Sequence, residues 1–448
     1  MNNFTEGNIT KQIIFFSVPM LIGSLFQQTY SMVDAIIVGR FIGGSSLAAV
    51  GISITAFFFL TSILIGLTTG ASVLISQFYG AEKFDELQLT LSTSIIFLAV
   101  FSVVITILGI VFTPLILRAL DTPVDVFEDA QLYMRIVMGG TVFPVFYNMY
   151  TAYMRALGDS RRPLYILIFS NLLNIVLNLL FVVVYGFGLG AIALTTVISQ
   201  AAATILCILY TKKRVPLLCV DKYTFDRELF GLILKYGVPA AVQLSLVSLA
   251  SLTITRLINS FGSAAIAAIT AVGRIDQMAI LPISTLSLAL STFVAQNMGA
   301  GLEDRAKKGL HITMLLMVTL AVLISATLML FSPYLVSLFI NQADPEAYDI
   351  LLIGQRYLNI LVVFYFLFAF LFGFNGFFRG AGDAVIAMVF PVASLTIRTV
   401  SAYGLVNIAG MGPEALAWSI PIGWGLCSAA SFVYYKKRLW AGKIATTK

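Results

Sequence analysis

Apolar residues run along this chain in long blocks, each divided from the next by a short polar or glycine-bearing break. A helix needs roughly 20 predominantly apolar residues to cross a bilayer, and blocks of that length recur from one end to the other. The polar punctuation predicts twelve transmembrane spans: 12–38, 48–78, 89–118, 132–154, 164–185, 189–210, 231–257, 264–297, 310–337, 352–378, 385–406 and 414–435. Several exceed a minimal span and are expected to tilt or bend. The first block starts at Ile13 behind a polar N-terminus and shows no small-residue cleavage site, so it is expected to remain as a helix.

Composition supports this reading. Of the 448 residues, 59% are hydrophobic and 11% charged, with a mean hydropathy of +0.96. Soluble domains carry about 25% charged residues because their surface faces water. The net charge of +6 does not point to nucleic acid, because the basic residues are spread over short breaks and line no helix face. Cys207, Cys219 and Cys427 have no metal-type spacing and are expected to pack as small apolar residues. His311 stands alone, and no P-loop, nucleophile elbow or paired-histidine motif occurs. A membrane protein that is not an enzyme and needs no cofactor is the expectation.

The blocks repeat. Gly43, Leu47-Ala48-Ala49-Val50, Gln77, Gly80 and Ala81 are answered 219 positions later by Gly262, Ile266-Ala267-Ala268-Ile269, Gln296, Gly299 and Ala300. Arg155-Ala156-Leu157-Gly158-Asp159 is answered by Arg379-Gly380-Ala381-Gly382-Asp383 at a shift of 224. An Arg-x-x-Gly-Asp pair at the same point of each half is hard to obtain by chance. The predicted architecture is all-α: an N-terminal six-helix bundle (1–210), a linker (211–230) and a C-terminal six-helix bundle with a short basic tail (231–448). Six spans per half bring both halves in from the same side, a parallel repeat. With the N-terminus in the cytoplasm, 20 of the 27 basic residues fall in inner segments and five in outer ones. The positive-inside rule therefore places both termini in the cytoplasm.

Polar residues inside apolar spans are expensive, so they mark function or helix fastening. Asp34 lies in the first span; its fastening alternative is a pair with Arg40, six residues on and on another face. Asn171, Asn174 and Asn178 lie in the fifth span, and the last two share a face. They can bind an ion, orient a carboxylate or clamp a neighbouring helix. Thr195 and Thr196 follow in the sixth span, where a threonine often bonds its own helix. In the second half Asp276 and Arg274 point apart, and Arg398 stands at the repeat position of Asn174. Prolines at 19, 144, 239, 282, 391 and 421 sit in or near span ends and are candidate bends.

These residues resemble a known family, the multidrug and toxic compound extrusion (MATE) transporters of the wider lipid and oligosaccharide flippase superfamily. The likeness rests on Pro19, Gln28, Asp34 and Val38-Gly39-Arg40, then on Leu47 to Gly51, Gln77 to Ala81 and Arg155 to Asp159 with their second-half echoes. It runs from about Thr10 to Lys437. The resemblance implies exchange of cationic or amphipathic compounds for protons or sodium ions by alternating access. It places an ion-coupling site at Asp34 and Asn174, where sodium is one candidate, with Thr196 nearby. The family's second carboxylate falls at residue 178, where this chain has Asn. Gln28, Asp276 and Arg398 complete the expected ion-coupling and substrate-binding residues. A functional monomer in a bacterial-type cytoplasmic membrane follows, with small organic substrates and membrane lipids as partners. A flippase for a lipid or lipid-linked oligosaccharide is the alternative. A channel or receptor fits the duplicated pattern poorly.

Overall fold

A computed structural model describes residues 3–220, 222–340 and 345–445; Asp221 of the predicted linker and Lys448 of the basic tail lie outside the described residues. Helices make up nearly all of it, and no strand occurs among the described residues. In chain order they are α1 (Ile9–Ile37), α2 (Gly44–Gly80), α3 (Phe84–Ala119), α4 (Val124–Gly139), α5 (Val142–Ala156), α6 (Arg161–Asn178), α7 (Leu189–Arg214), α8 (Arg227–Asn259), α9 (Ser263–Gly299), α10 (Glu303–Ser337), α11 (Ala347–Val363), α12 (Tyr365–Gly380), α13 (Ala384–Asn407) and α14 (Glu414–Lys436). Their outward faces are apolar. On α3, Val100, Val104, Ile107, Val111 and Leu115 follow one another at helical spacing and are all exposed. A stripe that large and dry belongs in lipid, where the helix satisfies its own backbone.

Two predicted spans differ in form. The fourth, 132–154, is not one helix but divides into α4 and α5 at Gly140 and Thr141. The tenth, 352–378, divides into α11 and α12 at Phe364, with a bend of 49°. Both breaks fall 224 residues apart, at the same point of each repeat. Among the described residues ten other stretches are long and apolar enough to cross, and the bent pair adds one.

The duplication is visible in the element bounds. Helices α2 and α9 are both 37 residues long and start 219 positions apart. The two Arg-x-x-Gly-Asp motifs have a structural explanation. Gly158 and Gly382 adopt φ of 81° and 89°, the left-handed conformation that glycine takes without strain. There the chain leaves one helix and starts the next: the Asp159 amide bonds the Met154 carbonyl at 2.9 Å. The Asp159 carboxylate then accepts from the Arg161 and Arg162 amides at 3.2 and 3.3 Å, capping α6.

Contacts group the chain into two compact units, Val18–Ala241 and Phe4–Ser17 with Val242–Lys448. In the first, α2 packs against α3, α4 and α5, and α7 against α4, α5 and α6. The opening turns of α8 cross α2 so closely that a Cβ on Gly70 would lie 2.3 Å from the Gly237 nitrogen. Backbone approach of that kind needs glycine on both sides. In the second unit, α9 is the packing centre for α10, α11 and α12, and α14 covers α12 and α13.

Candidate functional site

In the first unit the polar residues of three helices meet. Helix α1 carries Asp34 in its last full turn, after which the backbone loosens into a π-turn at Val38–Ile42. Helix α6 does the same: Asn178 is its last residue before a π-turn at Leu179–Val184. Such turns widen the helix and re-aim side chains, and they concentrate at functional sites. The site residues are thus held at two points where regular helix gives way.

Asn178 is the hub. One of its amide hydrogens goes to Asp34 Oδ1 at 2.7 Å and the other to Asn174 Oδ1 at 2.7 Å. Its own oxygen accepts from the Thr195 hydroxyl on α7. Asn174 in turn donates to Thr196 Oγ1 at 3.4 Å, while Thr196 bonds the Ile192 carbonyl at 2.9 Å. Both N–H groups and the oxygen of the Asn178 amide are therefore committed, which fixes its orientation.

Asp34 is only 8% exposed. Among the described residues its carboxylate receives one hydrogen bond, from Asn178, and forms no ion pair. Arg40, the alternative partner named from sequence, is exposed and unpaired with it. Tyr30, one turn earlier on α1, and Tyr133 on α4 lie within electrostatic range of Asp34, and Tyr30 also hydrogen-bonds Thr196. An anion shielded from water with so little compensation is costly to keep.

The structure brings Asp34, Asn174, Asn178 and Thr196 together, with the contact to Asp34 made by Asn178 and not by Asn174. The resemblance pairs Asp34 with Asn174. Asn178 lies one turn further along α6, level with Asp34, and takes the contact instead. Thr195 matters as much as Thr196 here. Gln28 makes no hydrogen bond with this network. Asn171 is close by in sequence, with a buried amide nitrogen that has no partner. Tyr30 and Tyr133 were not foreseen. Tyr30 is four residues before Asp34 and so shares its face, whereas Tyr133 is set apart in sequence only by the repeat, which returns a tyrosine at Tyr357, 224 residues on.

The second unit holds the other expected pair. Asp276 on α9 accepts from the Tyr365 hydroxyl at 2.8 Å. Arg398 on α13 lies beside Tyr357 of α11. Both charges line one cavity of about 160 Å³ that Trp424 and Ser394 also border. Arg274 is exposed and outside it. No group of three or more His, Cys, Asp or Glu that could hold a metal occurs among the described residues.

The MatE family model matches residues 19–180 and 239–404, one copy in each repeat. The probable multidrug resistance protein YoeA of Bacillus subtilis is 31% identical, over 97% of this chain and 96% of its own. The probable multidrug resistance protein YpnP of the same organism is 28% identical over 100% of this chain and 99% of its own. A crystal structure of MATE in the bent conformation aligns with a TM-score of 0.91 at 25% identity, covering 99% of this chain and 98% of that one.

Proposed function

The chain belongs to the MatE family, and from that premise we propose that it exports cationic or amphipathic organic compounds in exchange for protons. It is a multi-pass membrane transporter and not an enzyme. Its relatives are named as probable multidrug resistance proteins, which supports an efflux role with small organic substrates.

The observation that carries the mechanism is the Asp34 carboxylate, buried with one amide donor and, among the described residues, no basic side chain paired with it. Such an anion is tolerable while the cavity is wet. When water is excluded it must be neutralised by a proton or by a bound cation. A proton and a cationic substrate then compete for the same charge, and that competition is what couples their opposed movements. Alternating access follows if only a neutralised site can close.

The choice of proton over sodium rests on what faces the carboxylate. Sodium is a hard cation that binds through several oxygens, as calcium and magnesium do. Here residue 178 presents an N–H to Asp34, and its oxygen is turned to Thr195. One carboxylate and a donor suit a single protonatable switch. The alternative, a flippase for lipid-linked head groups, would favour basic residues where this site has an acid. The 20:5 distribution of basic residues supports a bacterial-type cytoplasmic membrane with both termini inside, and the transporter acts as a monomer among membrane lipids.

Proteoliposomes separate these readings. Export of a fluorescent organic cation should follow an imposed pH gradient and be indifferent to an equal sodium gradient. Transport driven by sodium alone would overturn the proton assignment.

A further inference from the structure

The two polar sites occupy the same place in the two repeats. Tyr357 and Arg398 of the second unit stand 224 residues after Tyr133 and Asn174 of the first, and Ile420 stands the same distance after Thr196. Asp276, at a position held by Phe57 in the first repeat, has no such counterpart. The repeat thus places these side chains at equivalent positions, and the chain has filled them with different chemistry.

The second recess contains a charge pair that does not close on itself. Asp276 and Arg398 line one cavity of about 160 Å³, yet no ion pair within 4.0 Å joins them, although six such pairs occur elsewhere among the described residues. Tyr365 supplies one donor to Asp276. The Arg398 guanidinium, with five N–H groups to satisfy, faces Tyr357 across the cavity, and its buried Nε has no partner. A guanidinium is built for planar recognition of a carboxylate. Its open donors therefore call for an acceptor that the chain does not provide.

Charge accounting selects the ligand. The empty pair is neutral overall. A lone cation at Asp276 would leave a net positive charge in a water-poor space, and a lone anion at Arg398 a net negative one. A molecule with both charges keeps the recess neutral and spans the gap. Drug-sized pockets run to about 300–1,000 Å³, so this smaller cavity suits a small solute. Trp424 offers an aromatic wall for its apolar part. We infer that the recess between α9, α11 and α13 of the second unit binds a small zwitterion, its acid group on Arg398 and its ammonium on Asp276. This site lies outside the proposed coupling site and does not depend on it.

Equilibrium dialysis on the purified full-length protein tests it, with labelled L-phenylalanine as probe. Phenethylamine and 3-phenylpropanoate, which carry one charge each, serve as comparisons. L-Phenylalanine should bind at a single saturable site, with both comparison compounds at least about tenfold weaker. Asp276→Asn should invert the order in favour of 3-phenylpropanoate, and Arg398→Gln in favour of phenethylamine. Arg274→Gln, on the same helix as Asp276 but outside the cavity, should leave all three affinities unchanged. If Arg398→Gln does not fold, Arg398→Lys keeps the charge and should retain the preference for the zwitterion at lower affinity. Equal binding of the three compounds, an order unmoved by Asp276→Asn, or no saturable L-phenylalanine binding up to about 10 mM would overturn the inference. Because no gradient is applied, the outcome is independent of whether Asp34 couples transport.

Discussion

Asn178 points an amide N–H, not an oxygen, at Asp34, across a distance of 2.7 Å. Its second N–H is held by Asn174 and its oxygen by Thr195, so turning the amide over would break three contacts at once. The neighbour of the buried acid is thus a fixed donor. This relationship, more than the presence of an acid, shapes what Asp34 can exchange.

Replacing Asp34 with Asn keeps the size and sets the charge to zero. The variant should fold with an unchanged or higher unfolding temperature, since it loses a buried charge that nothing balances. Coupled transport in proteoliposomes should fall to the background of empty vesicles. Export at the wild-type rate, with the wild-type response to a pH gradient, would reject Asp34 as the coupling group.

Asp34 was legible in sequence because a carboxylate stands out in an apolar span, and the asparagines because they recur on one face. Their pairing was not, since Asn174 and Asn178 share that face and only the register between α1 and α6 decides which one meets Asp34. The break at Phe364 was hidden for a related reason: it lies inside an unbroken apolar block, and hydropathy does not register a bend between apolar residues, whereas Gly139-Gly140-Thr141 did mark the other break. The π-turns after Ile37 and Asn178 contain no proline that would announce them. By contrast, the register between α2 and α9 was readable, because the repeat transfers Gly43 onto Gly262, although the expected spans began at 48 and 264 and not at Gly44 and Ser263.

The crossing of α2 by α8 should tolerate no side chain. Gly237→Leu places carbon atoms where the Leu67 backbone already lies, since a Cβ alone would come within 2.7 Å of its Cα. Overpacking of this kind costs about 1–3 kcal/mol and more when backbone must move. The variant should unfold several degrees lower in detergent, as followed by tryptophan fluorescence. Gly273→Ala, where a Cβ meets nothing within 4 Å, should match the wild type. A Gly237→Leu protein as stable as its parent would show that the two helices are not so closely apposed.

Orientation can be read by single cysteines. Thr224 and Ala441 are exposed, and the basic residues around both predict the cytoplasmic side. After replacement of the native cysteines by serine, Thr224→Cys and Ala441→Cys should resist an impermeant thiol reagent in intact cells and react once the cells are opened. Ready labelling from outside at either position would reverse the topology.

The sharpest test of the site replaces its fixed donor. Asn178→Asp is nearly isosteric and keeps an acceptor for Thr195, but it removes the N–H that faces Asp34 and sets a second carboxylate there. Two carboxyl groups that close cannot both stay charged, so they share one proton or admit a cation between them. The Asn174 oxygen, relieved of its bond from residue 178, becomes available as a further ligand. A site with two acids and an amide oxygen offers sodium the hard oxygens that the native site withholds. Coupled transport by Asn178→Asp should therefore gain a dependence on the sodium gradient that the wild type lacks. Asn178→Ala should instead lose the donor without gaining a charge, at a cost of about 1–3 kcal/mol in stability for the unpaired neighbours it leaves. It should show weaker transport and no response to sodium. If Asn178→Asp transports as the wild type does, with the same pH response and none to sodium, the orientation of the amide at 178 does not set the coupling ion, and the proton assignment loses its basis.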